Sequence, residues 1–124
     1  MVIHNKDPQY TSLYQDFLEK ISQKLKCNDS VLQALSQYYT LTGNTAKSLQ
    51  IDRRILKLHP HDPAAHYNLA CGLALKNKTN EACQALSKAI QLGYHDWQWI
   101  REDTDFDNIR HADAFRQLLP PSQH

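Results

Sequence analysis

Apolar positions recur at helical spacing along most of the chain, in stretches separated by short polar breaks. From about Pro8 to Lys26, Leu13, Phe17, Ile21 and Leu25 repeat every fourth residue, and Tyr10, Tyr14 and Leu18 widen the stripe. That spacing predicts an amphipathic helix with one packing face. Ser30 and Gln33 form a capping-box pair ahead of Leu32, Leu35 and Tyr39, and Gly43-Asn44 breaks the run. A second helix is expected from about Thr45 to Leu58, ending at His59-Pro60. Asp62-Pro63 opens the next, because Asp caps free amides and Pro suits the first helical position. Leu69, Ala70, Leu73 and Ala74 make its stripe, which should stop near Asn77-Lys78. Thr79-Asn80-Glu81 restarts the pattern, Ala82, Leu86, Ala89 and Ile90 continue it, and Gly93 closes it as a left-handed cap.

Displaced by 34 residues, the chain falls on itself: Leu35 on Leu69, Leu41 on Leu75, Thr45 on Thr79, Leu56 on Ile90, Leu58 on Leu92 and Asp62 on Asp96. Ser36 meets Ala70 and Ser48 meets Ala82, so small positions are kept as well. A period of this length marks a solenoid, whose units bury their apolar faces on their neighbours.

Leu35-Ser36, Tyr39, Gly43, Ile55 and Pro60 in the first unit, with Leu69-Ala70, Leu73, Ala82, Leu86 and Ala89 in the second, resemble the tetratricopeptide repeat family. The run from Asp62 to Ala70 is the nearest match to its first helix. The resemblance implies an all-α fold, a short α-solenoid of helical hairpins. Within one domain spanning 1–124, it sets an N-terminal helix at 10–26, repeats at 29–62 and 63–96, and a helical cap at 97–119. Some positions depart from the pattern. Leu32 and His66 stand where the family has Trp, and Tyr94 stands where a Pro would close the second unit. Asp52 takes a slot that calls for a large apolar residue. A lone buried carboxylate is costly, so Asp52 should either meet His66 or sit on a rotated, solvated face.

The flanks should seal the two repeats. After Asp96-Trp97, which repeats the Asp62-Pro63 start, come Trp99, Ile100, an acidic turn around Asp103, and then Phe106, Ile109, Ala112, Phe115, Leu118 and Leu119 before Pro120-Pro121. This stretch is similar to the closing segment of many bacterial tetratricopeptide proteins. Trp97, Trp99, Phe106 and Phe115 are expected to cap the last repeat, with a sticky partner surface as the alternative.

Fourteen Lys and Arg face thirteen Asp and Glu, giving a formal charge of +1, so no basic excess points to nucleic acid or a membrane surface. Cys27, Cys71 and Cys83 are an odd set without CxxC spacing, which suits reduced thiols. With no secretory signal or long apolar run in view, the expected compartment is the cytoplasm.

Chemical motifs are scarce. Glycine is too sparse for a phosphate-cradling loop, and no nucleophile elbow or HExxH appears. His59, His61 and His66 cluster near Asp62, but their spacing alone is a weak metal or catalytic signal. Cys71 lacks an activating neighbour and reads as an inert thiol. Glu102, Asp103, Asp105 and Asp107 do not follow calcium-loop spacing and suit helix capping. The expectation is therefore no enzyme, no cofactor and no metal, but a module that binds another protein. By resemblance to the family, Gln33, Gln37 and Thr40, then Tyr67, Asn68 and Cys71, then Gln98 and Arg101 would line a concave groove for a peptide or helix. Tyr67 would be its one large anchor. Self-association as a homo-oligomer is the competing expectation.

Overall fold

The structure, a computed structural model, describes residues 8–24 and 29–121, with side chains from Ser12 to Ile21 and from Asp29 to Pro121. Every regular element among the described residues is helical. The chain divides into two compact units, Met1–Leu58 and His59–His124. The first holds α1 (Pro8–Lys24), α2 (Asp29–Leu41) and α3 (Thr45–Leu58). The second holds α4 (Pro63–Leu75), α5 (Thr79–Gln91), α6 (Trp97–Glu102), a single 3-10 turn (Thr104–Phe106) and α7 (Asp113–Arg116).

The 34-residue period is visible in local geometry. Gly43 ends α2 in the left-handed region at φ +81, and Asn77 does the same after α4 at φ 60. Beyond each, one amide reaches back five residues: Asn44 N to Tyr39 O at 2.8 Å, and Lys78 N to Leu73 O at 3.0 Å. These bonds satisfy carbonyls that a helix end leaves open. After α5, Gly93 repeats the device at φ +113, with Tyr94 N bonded to Ala89 O at 2.9 Å. Asp62 accepts from Ala64 N at 2.9 Å, and Asp96, one period later, accepts from Trp99 N at 3.1 Å. Ser30 lies inside the first turn of α2 instead of ahead of it, since the helix already includes Asp29.

In the first unit, α2 packs on α3 and α1 packs on α2. The face of α1 that docks differs from the expected stripe. Leu18 is buried with Leu35, Tyr38 and Tyr39, and Tyr14 packs against them, while Leu13 and Phe17 remain 63% and 57% exposed. Polar and aromatic contacts set this rotation. The Tyr14 ring meets Tyr38 at 5.3 Å, and the Tyr39 hydroxyl donates to Glu19, the next residue after Leu18. Leu25 and Lys26 of the expected helix lie outside the described residues, as does Cys27.

In the second unit, α4 packs on α5 and on the 3-10 turn, and α5 touches α7. Ile100, Phe106, Ile109 and Phe115 are almost fully buried, and the Phe106 and Phe115 rings lie 5.4 Å apart. The closing segment's phenylalanines are thus core residues of the second unit. Trp97 is half-buried and stacked on His95 at 5.2 Å, but Trp99 is 51% exposed. With α6 only six residues long, Ile100 takes its buried face and Trp99 is left outside.

Candidate functional site

The residues expected to face a partner separate into exposed and buried sets. On α2, Gln33, Gln37 and Thr40 are exposed, and spacings of four and three residues put them on one helix face. Thr40 is partly engaged within its own unit. Its hydroxyl donates to Ser36 O at 3.1 Å and lies 2.7 Å from Ser48 Oγ. On α4, Asn68 is exposed. Gln98 on α6 is exposed and donates to Glu102 at 3.3 Å, while half-buried Arg101 donates to Pro120 O at 2.5 Å.

Tyr67 and Cys71 do not face outward. Tyr67 is buried, its ring stacked on Tyr94 at 4.1 Å and edge-on to Phe106 at 5.6 Å. Its hydroxyl donates to Asp103 Oδ2 at 2.6 Å, a short charge-assisted bond. The expected groove anchor is therefore a core residue of its own unit. Tyr94 supplies the ring that covers it. Cys71 is also buried, with its sulfur 3.8 Å from the same Asp103 oxygen.

Asp103 organises this region. As the cap of the 3-10 turn it accepts from Asp105 N on Oδ1 at 3.0 Å, while Oδ2 receives Tyr67. The capping role expected of the acidic turn is what Asp103 performs. Arg110 binds the surrounding backbone: it donates to Arg101 O, to Asp103 O at 2.6 Å and to Asp107 Oδ1 at 2.9 Å. Cys71, Asp103 and Asp105 bring one potential ligand atom each within 4.8 Å of one another. Both Asp103 oxygens are already engaged by hydrogen bonds within the unit, so the fold accounts for the convergence. Burial, reinforced by the Asp103 and Asp105 charges, pushes the Cys71 thiol far up, which keeps it protonated and a poor nucleophile. Burial and then Asp103 likewise raise the Tyr67 hydroxyl, and burial raises the Asp105 carboxyl.

The three histidines do not form a centre. Among the described residues, His59, His61 and His66 do not bring ligand atoms together, and His66 Nε2 lies 2.8 Å from Pro60 O, a contact in which the ring donates. His66 is thus tied to the turn before α4, and Asp52 is met elsewhere. Ser36 Oγ donates to Asp52 Oδ1 at 2.6 Å, Ser48 Oγ lies 3.3 Å from Ser36 Oγ, and Thr40 completes a polar ladder between α2 and α3. Asp52 is buried, so the rotated, solvated arrangement does not apply either. Burial pushes its carboxyl up to about 6, against the lowering effect of Ser36. Sequence reasoning missed the Ser36 partnership although a signal was there: Ser36 and Ser48 fill the small-residue positions beside the anomalous Asp52. The Tyr67–Asp103 bond joins residues 36 positions apart and leaves no comparable mark in the sequence.

In the first unit, a surface hollow of about 270 Å³ is lined by Glu19, Tyr39, Lys47 and Arg54 among others. Lys47 sits 3.8 Å from Glu19 and over the Tyr39 ring at 5.3 Å. The Tyr39 hydroxyl holds the Glu19 carboxyl below its usual range.

Among known proteins, the chain is similar to a chloroplastic protein of Arabidopsis thaliana. The two are 28% identical over 108 residues, which cover 85% of this chain and 32% of that protein. The chain therefore spans about a third of that relative's length. No protein-family model matches the chain, and no solved structure matches it.

Proposed function

We propose that this chain is a protein-interaction module of the tetratricopeptide type, an adaptor or scaffold that holds an extended peptide or helix of a partner against the first helix of each hairpin. The observation that carries the reading is the 34-residue recurrence of helix starts, left-handed caps and five-residue return bonds at Asn44 and Lys78. Repetition of a hairpin builds a long binding wall from a short unit, and such walls suit extended peptides. The contact residues we assign are Gln33 and Gln37 within the first unit and, separately, Asn68 and Gln98 within the second, exposed amides that can bond a peptide backbone. Tyr67 and Cys71 leave the set, because their contacts are spent inside the second unit.

The reading assigns no catalysis and no cofactor. No helix among the described residues is long and apolar enough to cross a membrane. Buried, unpaired Cys71 and Cys83 suit a reducing, cytoplasm-type compartment. The test is capture of partners from native lysate by the wild type and by a Gln33→Ala, Gln37→Ala, Asn68→Ala triple variant. Loss of capture with an unchanged melting curve supports the assignment; undiminished capture overturns it. Exposed Leu13 and Phe17 on α1 favour a second reading, self-association through that helix. A sedimentation coefficient independent of concentration removes it.

A further inference from the structure

The second unit carries a hollow of about 560 Å³ whose lining includes Arg101, Arg110, His111 and Arg116 beside Phe115 and Leu119, with no carboxylate among the described residues. We propose that this hollow receives an acidic segment of a partner protein, with carboxylate side chains against the arginines and an apolar side chain against Leu119.

The argument rests on how the charges are held. Arg101 donates to Pro120 O, and Arg110 donates to the carbonyls of Arg101 and Asp103. A carbonyl fixes a guanidinium in place without cancelling its charge. Each therefore stays cationic and pre-oriented, which lowers the ordering cost when a carboxylate arrives. Two anions temper the field: Asp107 at 2.9 Å from Arg110, and Asp113 at 2.6 Å from Arg116. Both lie outside the lining, so among the described residues the hollow presents one sign of charge. Arg116 and Asp113 are largely exposed, and an exposed pair of this kind binds weakly, so Arg116 can exchange its partner at little cost. The volume falls within the range of pockets that enclose a ligand of a few residues, about 300–1,000 Å³. Leu119, half-buried, gives the apolar contact that separates a peptide from a bare anion. The closing segment, which the sequence marks as a cap with a partner surface as the alternative, would thus hold a contact point of its own. The proposal rests on the interaction-module reading.

The experiment uses the full chain and a fluorescein-labelled peptide with a Glu-Leu-Glu-Glu core, followed by fluorescence anisotropy. The wild type is expected to bind it, to bind a Gln-Leu-Gln-Gln analogue roughly tenfold more weakly, and to lose affinity as salt is raised. Arg116→Glu should weaken binding by roughly fivefold to tenfold, and a peptide with Lys in place of Glu should recover part of that loss. Arg116 is exposed and its bonded side chain is Asp113, so the variant should fold; its circular dichroism checks this. Leu119→Ser gives an independent loss. Absence of wild-type binding, equal binding of the glutamine analogue, or unaltered affinity in Arg116→Glu overturns the proposal. So does complete displacement of the peptide by millimolar inorganic phosphate, which would assign the hollow to a free anion. If those variants leave affinity intact while the amide triple variant still loses lysate partners, the hollow fails and the module reading stands. The opposite pattern sinks the amide faces and keeps the hollow.

Discussion

Replacing Asp52 by Asn tests the buried ladder between α2 and α3 directly. The Asp52 carboxyl is buried, and burial raises it from an ordinary 3.8 to about 6. A raised carboxyl means that the folded protein holds a proton there which the unfolded chain has released. The Asp52 contribution to stability is therefore greatest below about pH 4 and is lost as pH rises through about 6, where the folded form must carry a buried anion. Two pH units of separation correspond to roughly 3 kcal/mol at 1.36 kcal/mol per unit. Asn keeps the shape and lets Ser36 Oγ still donate to a side-chain oxygen, but adds an amide that needs its own acceptor. An unmet amide costs about 1–3 kcal/mol, so the net gain of Asp52→Asn at pH 7.5 should fall between about 0 and 2 kcal/mol. Near pH 4 the gain should turn into a loss of about 1–3 kcal/mol, because the wild-type carboxyl is then neutral while the unmet amide remains. Urea unfolding of both proteins from pH 4 to 8, read by circular dichroism, measures the difference at each pH. Parallel pH profiles would refute the reasoning, since they would mean that the carboxyl titrates alike folded and unfolded. An NMR titration of the Asp52 carboxyl with a midpoint near 4 would refute it independently.

Tyr67→Phe should cost about 1.5–2 kcal/mol by removing the donor to Asp103, and Tyr67→Ala about 3–5 kcal/mol by also opening the stack with Tyr94; urea unfolding followed by Trp fluorescence separates the two. Gly43→Ala should destabilise by about 1 kcal/mol through its positive φ alone, because an added Cβ there meets nothing within 4 Å, and Asn77→Gly should stabilise slightly at the equivalent turn; melting temperatures check both. Phe17→Ser should change stability by less than about 0.5 kcal/mol, since the ring is mostly solvated, and any fall in sedimentation coefficient would come from lost self-association.

How much of this fold is legible in the sequence depends on the range of the interaction. Starts and stops are local: a capping Asp, a following Pro and a left-handed Gly act within a few residues, so α3, α4 and α5 begin and end close to where their pattern puts them. The choice of packing face is less local. Leu13 and Phe17 have the right spacing for a core stripe, yet the side that docks is set by Tyr14 and Glu19 meeting Tyr38 and Tyr39 on another helix. Periodicity fixes that a face exists, and the partner fixes which one. The hardest case is Tyr67, where family resemblance points the wrong way. A tyrosine on the inner face of a repeat is free for a partner only while nothing later in the chain covers it. Here Tyr94, Asp103 and Phe106 do so, the last two from the closing segment after residue 96. Once those residues cover Tyr67, its ring is not open to a partner. In the proposed module, contact would then fall to the exposed amides and to the arginine-lined hollow.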